Sequence, residues 1–208
     1  MTNLCRALAV AALAAVLAGC ESAPIPDVVH YRMPTQEKHV PTGRPHFADP
    51  LVVDVFLADG LHSEQSILYQ NSPEGPVKAY HYQLWNDPPV RLLQRRLIRR
   101  LRNENMAPVI ADRLPTNLNS VRVSGLLERF ERVKENEVWS VVVRIEMRVD
   151  QGDQGLPILL ESYEASEPTD GESIQATVRA FSRATDDVNA RFVADLRKVA
   201  TRPVGSGG

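Results

Sequence analysis

Cysteine is almost missing from this chain: among 208 residues there are only Cys5 and Cys20. That excludes a disulfide-stapled scaffold, so whatever folds here must rest on its apolar core. Long apolar runs are scarce as well. The longest, residues 7–17, is too short for a membrane span, which needs about 20 residues. Neither sign of charge dominates, since 24 basic and 26 acidic residues leave a formal net charge of −2. Nothing in that balance favours a nucleic-acid partner. Signatures of catalysis are absent too: there is no G-x-S-x-G, no P-loop, no G-x-G-x-x-G and no H-E-x-x-H. An enzyme should show a nucleophile with its base, a metal cluster or a phosphate cradle, so a non-catalytic role is expected.

What is present starts at the N-terminus. Residues 1–6 carry one positive charge, Arg6, and the Ala/Leu/Val run of residues 7–17 follows. This is the layout of a signal-peptide n-region and h-region. The run leads into Leu17-Ala18-Gly19-Cys20, the lipobox of bacterial lipoproteins. Leu17, Ala18 and Gly19 are the expected signal-peptidase recognition residues, and Cys20 the expected lipidation site. Cleavage removes residues 1–19 and with them Cys5. Arg6 is their only charged residue, so 23 basic and 26 acidic side chains remain. The only prosthetic group expected is covalent, a diacylglycerol and an N-acyl lipid on Cys20. Acyl chains contribute about 0.8 kcal/mol per buried CH₂, so two or three of them, palmitate for example, hold a protein on a membrane essentially for good.

The mature chain reads as a tether (20–27), one domain (28–200) and a flexible tail (201–208). Pro24, Pro26, Pro34, Pro41, Pro45 and Pro50 keep the first part extended, interrupted by a short strand at 28–33. Strands are predicted at 51–57, 66–69 and 77–85. Asp87-Pro88-Pro89 then starts a helix to about residue 105, with Asp87 as cap. On its wheel Val90, Leu93, Leu97, Ile98 and Leu101 share one face. Arg91, Arg95, Arg96, Arg99, Arg100 and Arg102 cover the other, with Leu92 among them. A short strand around 108–111 precedes a long hairpin, 120–133 and 138–149, turning at 134–137. In its second arm Trp139, Val141, Val143, Ile145, Met147 and Val149 share one face and Ser140, Val142, Arg144, Glu146 and Arg148 the other, the pattern of a sheet with one buried and one wet face. Residues 150–155 turn the chain into a strand at 156–163. Thr169-Asp170-Gly171-Glu172 fits a capping box. From Ile174 to Val199 apolar residues recur every three or four positions, the mark of a long amphipathic helix. The fold class is therefore mixed α/β, a largely antiparallel sheet with two main amphipathic helices packed on it.

Three features could carry chemistry. Asp150, Asp153, Gly155 and Glu161 echo a calcium loop, but Gly152 and Gln154 stand where acids are needed. Calcium takes six or more oxygens, so a polar hairpin turn is the better account. His39 and His46 lie in the Pro-rich stretch without further ligands at tight spacing, so no metal site is expected. The arginine face has no interleaved acid and is poorly self-neutralised. Such a surface suits lipid phosphates or an acidic protein. Arg91, Leu92, Arg95, Arg96 and Arg99 are thus the candidate partner or headgroup contact.

The order of short motifs is also familiar. His30-Tyr31-Arg32-Met33 leads to Leu51-Val52-Val53-Asp54-Val55-Phe56 and Gly60-Leu61. Ile67-Leu68-Tyr69 follows, then Tyr82-Gln83-Leu84-Trp85-Asn86-Asp87-Pro88-Pro89 and the helix with Leu92, Leu93 and Leu101. Over residues 28–200 this resembles the ABC-type transport auxiliary lipoproteins, the PqiC-type family. The sequence departs from that pattern at Ser63-Glu64-Gln65, where an arginine is often expected, and in its long loop of residues 34–50. The resemblance implies a non-catalytic subunit of a lipid transport system, working with an MCE-domain protein, an ATPase and a permease to maintain the outer membrane. Glu21, in place of Asp, is compatible with sorting to that membrane, on its periplasmic face. A ring-like homo-oligomer would suit such a role. Two alternatives stay open: an activator or docking module for a cell-wall enzyme, and a lipid carrier with a pocket between the last helix and the sheet, lined by Phe181 and Phe192.

Overall fold

The computed structural model describes residues 26–115, 118–152 and 155–201. The signal sequence, the lipobox with Leu17, Ala18, Gly19 and Cys20, nearly all of the tether and the tail from residue 202 lie outside the described residues. So does Asp153.

One strand organises the domain. β7 (Val121–Glu135) pairs along one edge with β8 (Val138–Gln151), antiparallel, and β8 pairs in turn with β9 (Leu159–Pro168). Along its other edge β7 receives three short parallel pieces in succession. These are β2 (Leu51–Val53), β3 (Leu57–Ala58) and β4 (Ser66–Gln70), entering at Val121, Leu126 and Glu131. β5 (Lys78–Trp85) runs antiparallel to β4, and β1 (Val29–Tyr31) parallel to β5. β6 (Ile110–Ala111) lies parallel to β2. The nine strands of the described residues form one mixed sheet.

The single apolar stretch expected at 51–57 is thus two strands. Between them Phe56 turns its ring over Gly125, where a Cβ would stand only 3.0 Å from ring carbon Cδ1. The missing side chain at Gly125 makes that approach possible. The hairpin turn is tighter than expected: Asn136 and Glu137 both take positive φ, 48° and 63°, the signature of a two-residue type I′ turn. Alternation along β7 breaks at Glu128, where the register with β8 shifts. Val121, Val123 and Leu127 face the core before this bulge, and Phe130 after it, because one extra residue flips the following side chains. The strand placed at 156–163 is displaced to Leu159–Pro168.

Helix α1 (Pro89–Asn103) and helix α2 (Ile174–Ala200) contribute to the same core. The capping box at Thr169 is not used. Ser173 is the N-cap, its Oγ accepting from the Ala176 N–H at 3.1 Å, while the Thr169 hydroxyl donates to the carbonyls of Trp139 and Gly171. The apolar stripe of α2 behaves as its spacing requires: Val178, Phe181, Val188, Phe192 and Leu196 are buried. Phe181 meets Trp85 and Phe130 at centroid distances of 5.3 and 4.3 Å, and Phe192 meets Tyr163 edge-on. Both phenylalanines are fully enclosed in the main core. They fill the space where a lipid pocket between helix and sheet was envisaged.

Candidate functional site: an arginine-lined cleft

Helix α1 starts at Pro89, whose fixed φ suits a first turn and whose missing N–H is no loss there. Its N-cap is Pro88, without a side-chain cap. Asp87, expected to cap, instead accepts from Arg95 Nη2 at 2.6 Å. Leu93, Leu97, Ile98 and Leu101 turn inward, and Gln94 donates to the Val53 carbonyl at 2.8 Å. Leu92 is buried too, 8 % exposed and part of the core cluster. It does not stand free among the arginines as its wheel position suggested. Together these inward residues make a buried arc wider than the stripe read from the sequence.

The six arginines are not equivalent. Arg96 is a strut. It grips Asp186 of α2 with two bonds, Nε to Oδ1 at 2.8 Å and Nη2 to Oδ2 at 2.6 Å. It also donates to Ser182 Oγ and the Pro34 carbonyl. This planar fork-to-carboxylate geometry is specific to arginine. Arg100 pairs with Glu104 at 2.8 Å, and Arg102 donates to the Ile110 carbonyl. The face lacks acids of its own, but acids arrive from Asp87, Glu104 and Asp186. Arg91 and Arg99 remain exposed, with no acidic partner among the described residues.

Between α1 and the segment after β1 lies a cleft of about 420 Å³. Arg32, Arg95, Arg96 and Arg99 supply its charge; Met33 and Leu92 give it an apolar floor, and Thr35 and Asn86 add polar groups. Arg32 is exposed and, like Arg99, makes no ion pair with a described residue. With Arg95 and Arg96 balanced by Asp87 and Asp186, the uncompensated charge of the cleft belongs to Arg32 and Arg99. This arrangement can hold an anion by charge-assisted hydrogen bonds.

Residues 31–193 match the family described as the ABC-type transport auxiliary lipoprotein component. The chain belongs to that family. The matched segment runs from β1 nearly to the end of α2 and so takes in the whole cleft. The fold is similar to protein XCC0632 from Xanthomonas campestris, with a TM-score of 0.69 at 14% identity over 80% of this chain and 93% of that one. A second crystal structure, of an uncharacterized protein, gives 0.64 at 14% identity, covering 82% and 99%. No curated protein matches the sequence.

In this auxiliary transport lipoprotein the remaining candidates lie elsewhere on the domain. Asp150 is held by Arg148 at 2.7 Å. The backbone N–H of His39 donates to Asn103 Oδ1 and that of His46 to the Asn105 carbonyl. No group of three or more His, Cys, Asp or Glu positioned for a metal occurs among the described residues, and no helix there is long and apolar enough to cross a membrane. One polar cluster was not foreseen. Glu131, 2 % exposed, accepts from His62 Nε2 at 2.9 Å, from Arg129 Nε at 2.7 Å and from the Phe130 N–H at 2.9 Å. Burial pushes its carboxyl up, but the bonds from His62, Arg129 and Phe130 outweigh that and hold it below the ordinary carboxylate range. The only signal in the sequence was an opposite-charge pair two residues apart, Arg129 and Glu131 with Phe130 between, in an otherwise alternating strand. His62 comes from the 3₁₀ turn Gly60–Ser63, far off in sequence.

Proposed function

We propose that this chain is the lipid-anchored, non-catalytic subunit of an ABC-type lipid transport system, and that its folded domain docks an MCE-domain protein on the periplasmic face of the outer membrane. The observation that carries the reading is the family match, which spans nearly the whole folded domain. The lipobox ending at Cys20 supports membrane anchoring, and Glu21 supports the outer membrane. Lipid on Cys20 fixes the domain within tether reach of the bilayer, while a partner holding the hydrophobic cargo approaches from the periplasm. Arg91 and Arg99, without an acidic partner among the described residues, give α1 an outward basic face for an acidic surface or a phosphate.

The test is crosslinking and co-purification of the lipidated protein from envelopes, with mass spectrometry of what comes down. An MCE-domain protein, and its loss with Cys20→Ser, is the expected result. Recovery of peptidoglycan synthases alone would replace this reading with that of a cell-wall enzyme activator.

A further inference from the structure

The arginine cleft has a neighbour: it shares Thr35, Gln36 and Arg99 with a wider groove of about 700 Å³. The wider groove has an apolar wall of Val40, Pro41, Pro108 and Ile110, faced by polar residues that include Lys38 and Asn105. Val40, on that wall, is 75% exposed. The two depressions thus adjoin at Arg99, and two guanidinium groups without an ion-pair partner among the described residues lie beside a groove with one apolar wall. Both volumes fall in the range of small-molecule sites, roughly 300–1,000 Å³.

Charge and polarity together define the occupant. Arg32 and Arg99 call for an anion; a free phosphate would satisfy them but leave the Val40 side unused. An acidic peptide would satisfy them as well, but it gains nothing from the apolar continuation. An amphiphile with a phosphate at the junction of head and chains uses both. The fold also sets a distance. Arg32 follows Cys20 by twelve residues, and a fully extended chain spans at most about 3.3–3.6 Å per residue. The cleft thus stays within roughly 40 Å of any acyl anchor on Cys20, and its nearest source of such molecules is the membrane that holds the chain.

We infer that the cleft and groove together bind one glycerophospholipid, its phosphate between Arg32 and Arg99 and its first acyl carbons along Val40 and Pro41. This deepens the transport reading and rests on it for the idea that lipid is the cargo. Arg96, committed to Asp186, is the wall of the site and not a ligand.

The experiment uses the lipidated full chain purified in detergent, titrated with dihexanoylphosphatidylglycerol and followed by native mass spectrometry. One lipid per chain is expected. Arg32→Ser and Arg99→Ser should each weaken it by roughly tenfold or more, the loss of a charge-assisted hydrogen bond. Val40→Ser should weaken the lipid while leaving the chainless headgroup, glycerophosphoglycerol, unaffected. Absence of the adduct, indifference to both arginine substitutions, or equally tight competition by inorganic phosphate or hexaglutamate would overturn the proposal. An MCE protein co-purifying with a chain that takes no lipid sinks this site and spares the transport reading. Arginine-dependent lipid binding without an MCE partner does the reverse.

Discussion

Replacing Arg96 with methionine isolates the strut from the site. The Arg96 side chain is 9% exposed and makes four hydrogen bonds, two to Asp186, one to Ser182 and one to the Pro34 carbonyl. Hydrogen bonds to charged groups contribute about 1.5–3 kcal/mol each, but the four share one side chain and are not additive. Asp186 is 38% exposed, so water recovers part of what its carboxylate loses. It also keeps the bond from Gln36 Nε2 at 2.6 Å. Methionine retains much of the apolar stem. The expected loss is therefore about 3 kcal/mol, below the upper end for breaking a fully buried pair. For a chain of this size each kcal/mol lowers the melting temperature by about 2–4 °C, so the variant should melt about 6–12 °C early by circular dichroism. Arg96→Lys, which keeps the charge but not the fork, should lose about half as much. Arg99→Met, on the same helix but unpaired, should melt with the wild type. An Arg96→Met protein within about 2 °C of wild type would refute the assignment of Arg96 as a strut between the helices.

Glu131→Gln should lower stability at neutral pH by roughly 2 kcal/mol and flatten its dependence on acid. Because the folded carboxyl sits below its ordinary 4.5, its contribution is complete above that value and is lost as pH falls through the folded one. Urea melts across that range would show parallel slopes for the two proteins if the His62–Glu131–Arg129 cluster were incidental. Gly125→Ala places a methyl against the Phe56 ring, which is itself buried. Overpacking of this kind costs about 1–3 kcal/mol. Phe56→Leu, destabilising alone, should then be nearly harmless in the Gly125→Ala background, and simple additivity in chemical denaturation would count against the contact.

What the sequence made legible was local periodicity. The α2 stripe from Ile174 to Val199 and the inward face of β8 from Trp139 to Val149 are repeated patterns along one element, and both were legible, although Trp139 is only half-buried and Val142, placed on the wet face, is buried as well. The helix cap was misread because two starts lie four residues apart, and Thr169 is drawn into the β9–α2 connection by the Trp139 carbonyl. The arginine face failed for a related reason. Residue spacing shows which side chains share a helix face, but not which distant carboxylate arrives there. Asp186 is 90 residues from Arg96 in sequence and reaches it only because α1 and α2 meet over the same core. Internal pairing thus divides one apparently uniform basic face into a committed set, Arg95, Arg96, Arg100 and Arg102, and an uncommitted pair, Arg91 and Arg99. Arg32, distant in sequence, joins the second group across the cleft. A binding surface on this domain should therefore be sought where charge remains after internal pairs are removed, since arginines already holding the fold together have little left to give a ligand.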